Sequence, residues 1–279
     1  MKSFLRHAII YVCAIAITLF AVSPFIWMIL TSLKPQSEIY NYPLTYLPQE
    51  LNLSGYQGML DPHADDNANF LRWFWNTTLV SLLTTVLSLV VSALGGYAMS
   101  RFGFRGRMSI GYIILLTQML PGSLLIIPLY MIMRDYQLLN SHFGLVIAYA
   151  TFAIPFCTWM LKGYFDSVSK SIDEAASVDG ANRWTTFVRV ILPLTLPGLV
   201  VTGVFSFLTS WNEFMFAQTF ISDYSKWTLS VGIASFQGQY VVNWDYMMAG
   251  SVITTLPIVI IFWVLQKHLV SGMTAGAVK

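Results

Sequence analysis

Six apolar runs, each long enough to cross a hydrocarbon core, dominate this sequence and leave few folds open to it. A helix rises about 1.5 Å per residue, so about 20 residues span a core about 30 Å thick. Runs of that order lie at about 8–31, 75–100, 109–133, 143–165, 194–220 and 247–267. Charged residues are 10% and hydrophobic residues 56% of the 279 positions, against about 25% charged in soluble domains. The expectation is an all-α membrane protein with six transmembrane helices. Pro24, Pro121, Pro128, Pro155 and Pro257 fall inside the runs. Bundles tolerate such prolines because neighbouring groups re-satisfy the freed carbonyls, so kinks are expected. The first run has a basic lead-in, Lys2 and Arg6, yet stays apolar through Pro24 to Leu30, longer than a signal-peptide core, which predicts a retained helix.

Lys and Arg near helix ends collect on the cytoplasmic side. Of the fifteen such residues, only Lys34, Arg72, Arg134 and Lys226 fall on one side of the alternating spans and the other eleven on the opposite side. Both termini are therefore expected in the cytoplasm. The chain divides into a first transmembrane helix over 1–32, an external loop over 33–74, a core of five helices over 75–267 with an internal loop over 166–193, and a cytoplasmic tail over 268–279. The net charge of +2 and the lack of a basic, aromatic-interleaved patch set nucleic-acid binding aside. Cys13 and Cys157 sit in apolar stretches as small hydrophobes. The four histidines show no metal-ligand spacing and no Ser/His/Asp arrangement stands out, so neither a metal site nor a catalytic site is expected.

The internal loop carries helix punctuation. Ser171 with Glu174 three residues later reads as a capping box, Asp173 and Glu174 suit the positive end of a helix dipole, and Gly180 suits a left-handed C′ position. A helix of about eight residues is expected there. Asn182 is placed to cap a second helix over 183–192, with Pro193 ending it. Helices this short gain their stability from packing against something, their own bundle or a partner, and the small Ala175 and Ala176 permit close approach of another backbone.

Glu174-Ala175-Ala176, three residues, Gly180, nine residues, then Val190, any residue, Leu192 and Pro193 resembles the signature of bacterial ABC-importer permeases, with Val where the family often has Ile. The likeness covers nearly the whole chain. It is closest to the second permease of the maltose-type carbohydrate-uptake family, through Asn76-Thr77, Gly96-Tyr97-Ala98 with Arg101-Phe102, Trp211-Asn212-Glu213-Phe214 and the end from Gly272 to Lys279. It implies a type I importer permease bundle with short cytoplasmic coupling helices in a bacterial inner membrane, importing a sugar or oligosaccharide. It also implies three partners beside membrane lipid: a second homologous permease in a heterodimer, an ATPase homodimer and an external solute-binding protein. No Gly-x-x-x-x-Gly-Lys-Ser/Thr loop occurs, so ATP and Mg are expected on the ATPase subunits, with no cofactor in this chain and no enzymatic activity of its own.

The resemblance further implies that Glu174, Ala175, Ala176, Asp179, Gly180 and Pro193 dock the ATPase. The competing role for Glu174 is an ordinary first-turn acid. The tail, with Gly272, Thr274, Gly276 and Lys279, is expected to reach the ATPase, against a frayed end. Gln237, Gly238, Gln239 and Tyr240 match a loop that meets the binding protein, against a solvated turn. Ionisable and amide side chains inside spans mark a solute path or hold helices together, which makes Glu213, Gln118, Asn76 and Asn212 path candidates. An ion-coupled secondary transporter would want acids near the midplane, and the central spans offer almost none. An ABC permease for a non-sugar solute is the other alternative.

Overall fold

A computed structural model describes residues 2–61, 69–238 and 242–275, with side chains from 5 to 266 within those ranges. Among these residues the chain is helical, with no strand and one isolated bridge between Gln237 and Val242. In order the helices are α1 (Lys2–Ser32), α2 (Gln36–Ile39), α3 (Ser54–Leu60), α4 (Phe70–Arg101), α5 (Arg107–Thr117), α6 (Ile126–Asp135), α7 (His142–Ser167) and α8 (Lys170–Val178). There follow α9 (Arg183–Thr185), a π-helical stretch Thr186–Ile191, α10 (Leu192–Leu194), α11 (Leu196–Trp211), α12 (Met215–Phe220), α13 (Leu229–Ala234) and α14 (Trp244–Ala275).

Four helices, α1, α4, α7 and α14, are long and apolar enough to cross a membrane, and the number reaches six when two bent pairs each count as one span. Those pairs correct the expected runs 109–133 and 194–220. The third is broken between α5 and the 3₁₀ turn Gly122–Leu125, where the chain bends by 90°. The fifth bends by 79° between α10 and α11 and ends at Trp211, with α12 a separate helix. Local sequence accounts for the first break. Pro121 removes a backbone donor and steers Leu120 out of helical conformation, while the second break falls at Thr195, with Pro197 in the first turn of α11, where its missing donor costs nothing. Pro24, Pro155 and Pro257 instead lie inside unbroken helices. The last helix also runs past the expected end of the sixth span, through residues 268–275.

The chain forms two compact units, Met1–Leu71 with Gly232–Pro257, and Arg72–Val231 with Ile258–Lys279. In the first, the polar connection after α1 is tied down rather than solvated. Lys34 donates to the Thr45 carbonyl and the Thr45 hydroxyl donates to Glu38. That hydroxyl, with the backbone N–H of Gln49 and the nearby Lys34, holds the Glu38 carboxyl below its usual range. Gln36 and Tyr40 both donate to the Val242 carbonyl, at 2.5 and 3.1 Å.

In the second unit α7 packs against α5 and α11. The inward face of α4 is lined by the buried small hydroxyl residues Thr77, Ser81, Thr84, Ser88 and Ser92, at helical spacing, the residue type that lets membrane helices approach closely. At Gly96 the approach is tightest, since a Cβ there would stand 2.9 Å from the Lys162 nitrogen and 3.1 Å from the Thr158 oxygen. Two apolar clusters result: one around Leu145, Tyr149, Phe216 and Phe220, the other around Tyr97, Leu161, Phe165 and Phe187.

Candidate functional site

The helix α8 forms where the punctuation predicts it, with one change at its start. Ser169, not Ser171, is the N-cap, its hydroxyl accepting from the Ser171 backbone N–H. The helix therefore begins two residues earlier than a Ser171 cap would allow, and Glu174 has no capping work. Its exposed side chain makes no hydrogen bond or ion pair among the described residues. The far end follows expectation. Gly180 sits at φ 83°, Ala181 N–H donates to Ala176 O and Gly180 N–H to Ser177 O, the pair of bonds that closes a helix on a left-handed glycine.

What anchors α8 is invisible in the local sequence. Asp173, beside the motif's glutamate, pairs with Arg101 at the end of α4, Nε to Oδ2 at 3.0 Å. The Arg101 side chain is 6% exposed and also donates to the Val168 carbonyl at 2.9 Å. The Tyr97 hydroxyl reaches Asp173 Oδ1 at 3.4 Å, and its ring packs on Phe187 and Phe165 at 4.6 and 5.8 Å between centroids. Ser100 donates to Asp166, which Lys162 also pairs with. The ends of α4 and α7 thus grip α8 through charge and aromatic contact together.

Of the two small residues of the motif, Ala176 is buried within the chain and Ala175 is exposed, so close packing against the chain's own bundle accounts for the first of them. The free face presents Glu174, Ala175 and Asp179 with Val178, which is 87% exposed. Asn182 caps α9 through Thr185 N–H as expected. Pro193 does not end that segment, because a proline in a first helical turn has no bond to lose. It stands exposed inside α10, after a π-helical stretch.

The four path candidates separate. Gln118 caps α5 at the break and donates to the Phe152 carbonyl at 3.2 Å. Glu213, in the gap between α11 and α12, accepts from the Phe216 and Ala217 backbone N–H groups at 2.9 and 3.2 Å. Both line one cavity of about 470 Å³, with Tyr149, Phe152, Thr209 and Phe216. Asn76 and Asn212 are not in its lining, and each has a partner elsewhere. The Asn76 amide, buried, donates to the Ser225 and Trp227 carbonyls at 3.0 and 2.9 Å, and Asn212 donates back to Leu208 within its own helix. The sequence reading missed Tyr149, one hydroxyl in an apolar helix, and the Arg101 to Asp173 pair, whose members lie 72 positions apart by number (173 − 101).

The segment after Ile221 is held by side chains, not left as a plain loop. Asn76 grips it, Lys226 donates to the Asn140 carbonyl, and Leu229 N–H donates to Thr77. The Ser225 hydroxyl and backbone N–H bonds, with Lys226 and Arg72 nearby, hold the Asp223 carboxyl below its usual range. Gln237 and Gly238 are exposed beside the bridge to Val242. Gln239 and Tyr240 lie outside the described residues, as do Gly276 and Lys279, while Gly272 and Thr274 fall within the backbone of α14. Among the described residues no cluster of three or more His, Cys, Asp or Glu could hold a metal ion.

Residues 92–275 match the family model described as "Binding-protein-dependent transport system inner membrane component". The chain is 36% identical to the inner membrane ABC transporter permease protein YcjP of Escherichia coli, over 94% of this chain and 92% of that protein. It is 35% identical to the trehalose/maltose transport system permease protein MalG of Thermococcus litoralis, over 99% and 98%. In structure it is similar to a chain of a bacterial ABC transporter involved in the import of the acidic polysaccharide alginate. The TM-score is 0.80 at 26% identity, covering 96% of this chain and 98% of that one.

Proposed function

The chain belongs to the family of binding-protein-dependent transport system inner membrane components, and from that membership we propose that it imports a sugar or oligosaccharide as one of two unlike permeases driven by an ATPase pair docked on α8. As a member it is a permease subunit of an ABC importer, a transport component and not an enzyme. The sugar reading is supported by the trehalose/maltose permease among its relatives. The loop around Gln237 and Gly238 faces the external binding protein. Gly272 and Thr274, with Gly276 and Lys279, approach the ATPase from the chain end.

One observation carries the coupling role. The face of α8 bearing Glu174, Ala175, Val178 and Asp179 is exposed while the opposite face, at Asp173 and Ala176, is locked to the body of the protein. An exposed valine one turn from an uncommitted carboxylate suits a protein groove better than water. A helix gripped on one face transmits a push applied to the other as a rigid-body shift of α4 and α7. ATP and Mg belong to the ATPase, since the sequence has no phosphate-cradling loop.

The test is purification of the membrane complex through a tag on this chain. An ATPase subunit is expected to co-purify, and Glu174→Lys is expected to lower both its recovery and binding-protein-stimulated ATP hydrolysis by about tenfold, roughly the loss of one charge-assisted contact. Isolation of a fully active transporter without a nucleotide-binding subunit would reject the assignment.

A further inference from the structure

The segment from Arg183 to Leu194 meets α11 at a bend of 79°. With α11 crossing the bilayer, a bend of that size lays the segment close to the membrane plane, at the end of the spans where α8 sits. Its side chains suit that place. Trp184, Val188 and Leu192 recur at intervals of four, which puts them on one face, and Trp184 is 63% exposed. Arg183 and Arg189 flank this stripe, and both are exposed. A tryptophan and arginines beside an apolar stripe are the marks of a helix lying in a membrane interface.

The same face bounds an apolar groove of about 300 Å³, lined by Leu89, Leu94, Trp184, Val188, Leu192 and Leu199 among others. A second groove of about 360 Å³, which runs on to Phe207 and Ile261, shares Leu89 and Leu199 with the first. Leu94 and Leu89 lie roughly 10 and 18 Å along α4 from Arg101, the depth of acyl chains and not of headgroups. Two apolar grooves that meet at Leu89 and Leu199 match the two chains of one phospholipid. The charge beside them fits its phosphate. Arg183 stands over the Phe102 ring at 5.1 Å, and neither it nor Arg189 forms an ion pair among the described residues. Glu174, an acid that shares a polar recess with Arg183, is the group assigned above to the ATPase. Two uncommitted cations next to the lining residues Trp184 and Val188 favour a negatively charged lipid over a zwitterionic one.

We propose that the two grooves hold one anionic phospholipid of the leaflet on the α8 side, with its chains parted at Leu199 and its phosphate met by Arg183 and Arg189. The lipid bears on the segment that carries Phe187, whose ring packs on Tyr97 at 4.6 Å, and Tyr97 reaches Asp173 in the anchor of α8. The site is therefore continuous with that anchor. It needs neither a particular solute nor a particular partner, and so stands apart from the import reading. The rival occupant of the grooves is a helix of the second permease.

The test uses the whole complex, purified through a tag on this chain, in nanodiscs of phosphatidylcholine doped with brominated phosphatidylglycerol or, separately, brominated phosphatidylcholine. Bromine quenches indole fluorescence on contact, and the contribution of Trp184 is the difference between the wild type and Trp184→Phe. At equal low doping, phosphatidylglycerol is expected to quench that contribution at least about fivefold more effectively, and Arg183→Gln with Arg189→Gln is expected to remove the preference, the scale of losing two cations at a membrane surface. Arg105→Gln with Arg107→Gln removes the same charge from residues that line neither groove, and is expected to keep the preference. The wild-type comparison needs no charge variant, so it decides even where a double variant misfolds. Equal quenching by the two lipids, or a preference that the Arg105 and Arg107 control also loses, overturns the proposal. Trp184 quenched by neither lipid overturns it too, and a helix of the second permease then covers the grooves. An absent preference in a complex that retains its ATPase fails this inference alone, whereas a complex without an ATPase fails the import reading.

Discussion

A carboxamide inside an apolar segment has to find a partner, and Asn76 and Gln118 do so with opposite consequences. Asn76 spends both amide hydrogens on carbonyls 149 and 151 positions away, so it ties the segment before α13 to the start of α4. Gln118 spends one on Phe152 and keeps its oxygen at a cavity wall. Asn76→Leu would take the donor from two part-buried carbonyls and is expected to cost about 2 kcal/mol, read as a lowered melting temperature of the detergent-purified complex. Asn212→Leu loses only a bond to its own preceding turn and is expected to cost less than about 0.5 kcal/mol, because such back-bonds add little to a helix. Equal losses at the two positions would contradict this division of roles.

At the level of elements, α8 is short enough that intrinsic propensity cannot hold it. Its stability comes from the grip of α4 and α7, with the Arg101 to Asp173 pair at its centre. Breaking a largely buried pair by removing one partner costs about 3–5 kcal/mol, less where one member is partly exposed, as Asp173 is here. Asp173→Arg or Arg101→Asp alone is expected to reduce sugar uptake at least about tenfold while the ATPase still co-purifies, because the docking face is untouched and the lever is loosened. Combining the two substitutions is expected to restore part of the uptake, since the charges pair again while the bond to Val168 stays lost. Faster amide exchange over residues 170–178 in the single variants, reversed in the double, would report the same release. A double variant no better than the singles would show that the pair does not position α8.

On the scale of the whole molecule, eleven of fifteen basic residues fall on the side assigned to α8 and the chain termini, and by the charge bias of membrane proteins we propose that this side is cytoplasmic. In a Cys13→Ser background, Gln237→Cys is expected to react with an impermeant maleimide in intact cells, and Ser177→Cys only after permeabilisation. The reverse pattern would invert the topology and remove the basis for ATPase docking on α8. Large apolar side chains along α1 are exposed, Phe20 at 82% among them, the surface a membrane-spanning helix presents to an apolar surrounding.

Several features were readable without coordinates because they depend on neighbours a few residues apart. The lengths of the apolar runs gave the spans, the Asn182 cap and the Gly180 turn gave the ends of the short helices, and the Glu174 motif gave the family. The 90° depth of the kink expected at Pro121, the shift of the cap to Ser169, and the inward turn of Ala176 were not readable, since propensity and spacing leave such choices to packing. The meeting of Gln118 with Glu213, the staple at Asn76 and the pairing of Arg101 with Asp173 lay further still beyond reach. Each joins residues tens of positions apart, and only the packing of α4, α7 and α11 sets those distances. Hydrogen bonds and caps within one turn are encoded locally, whereas a cavity or a lever exists only once separate helices have been brought together.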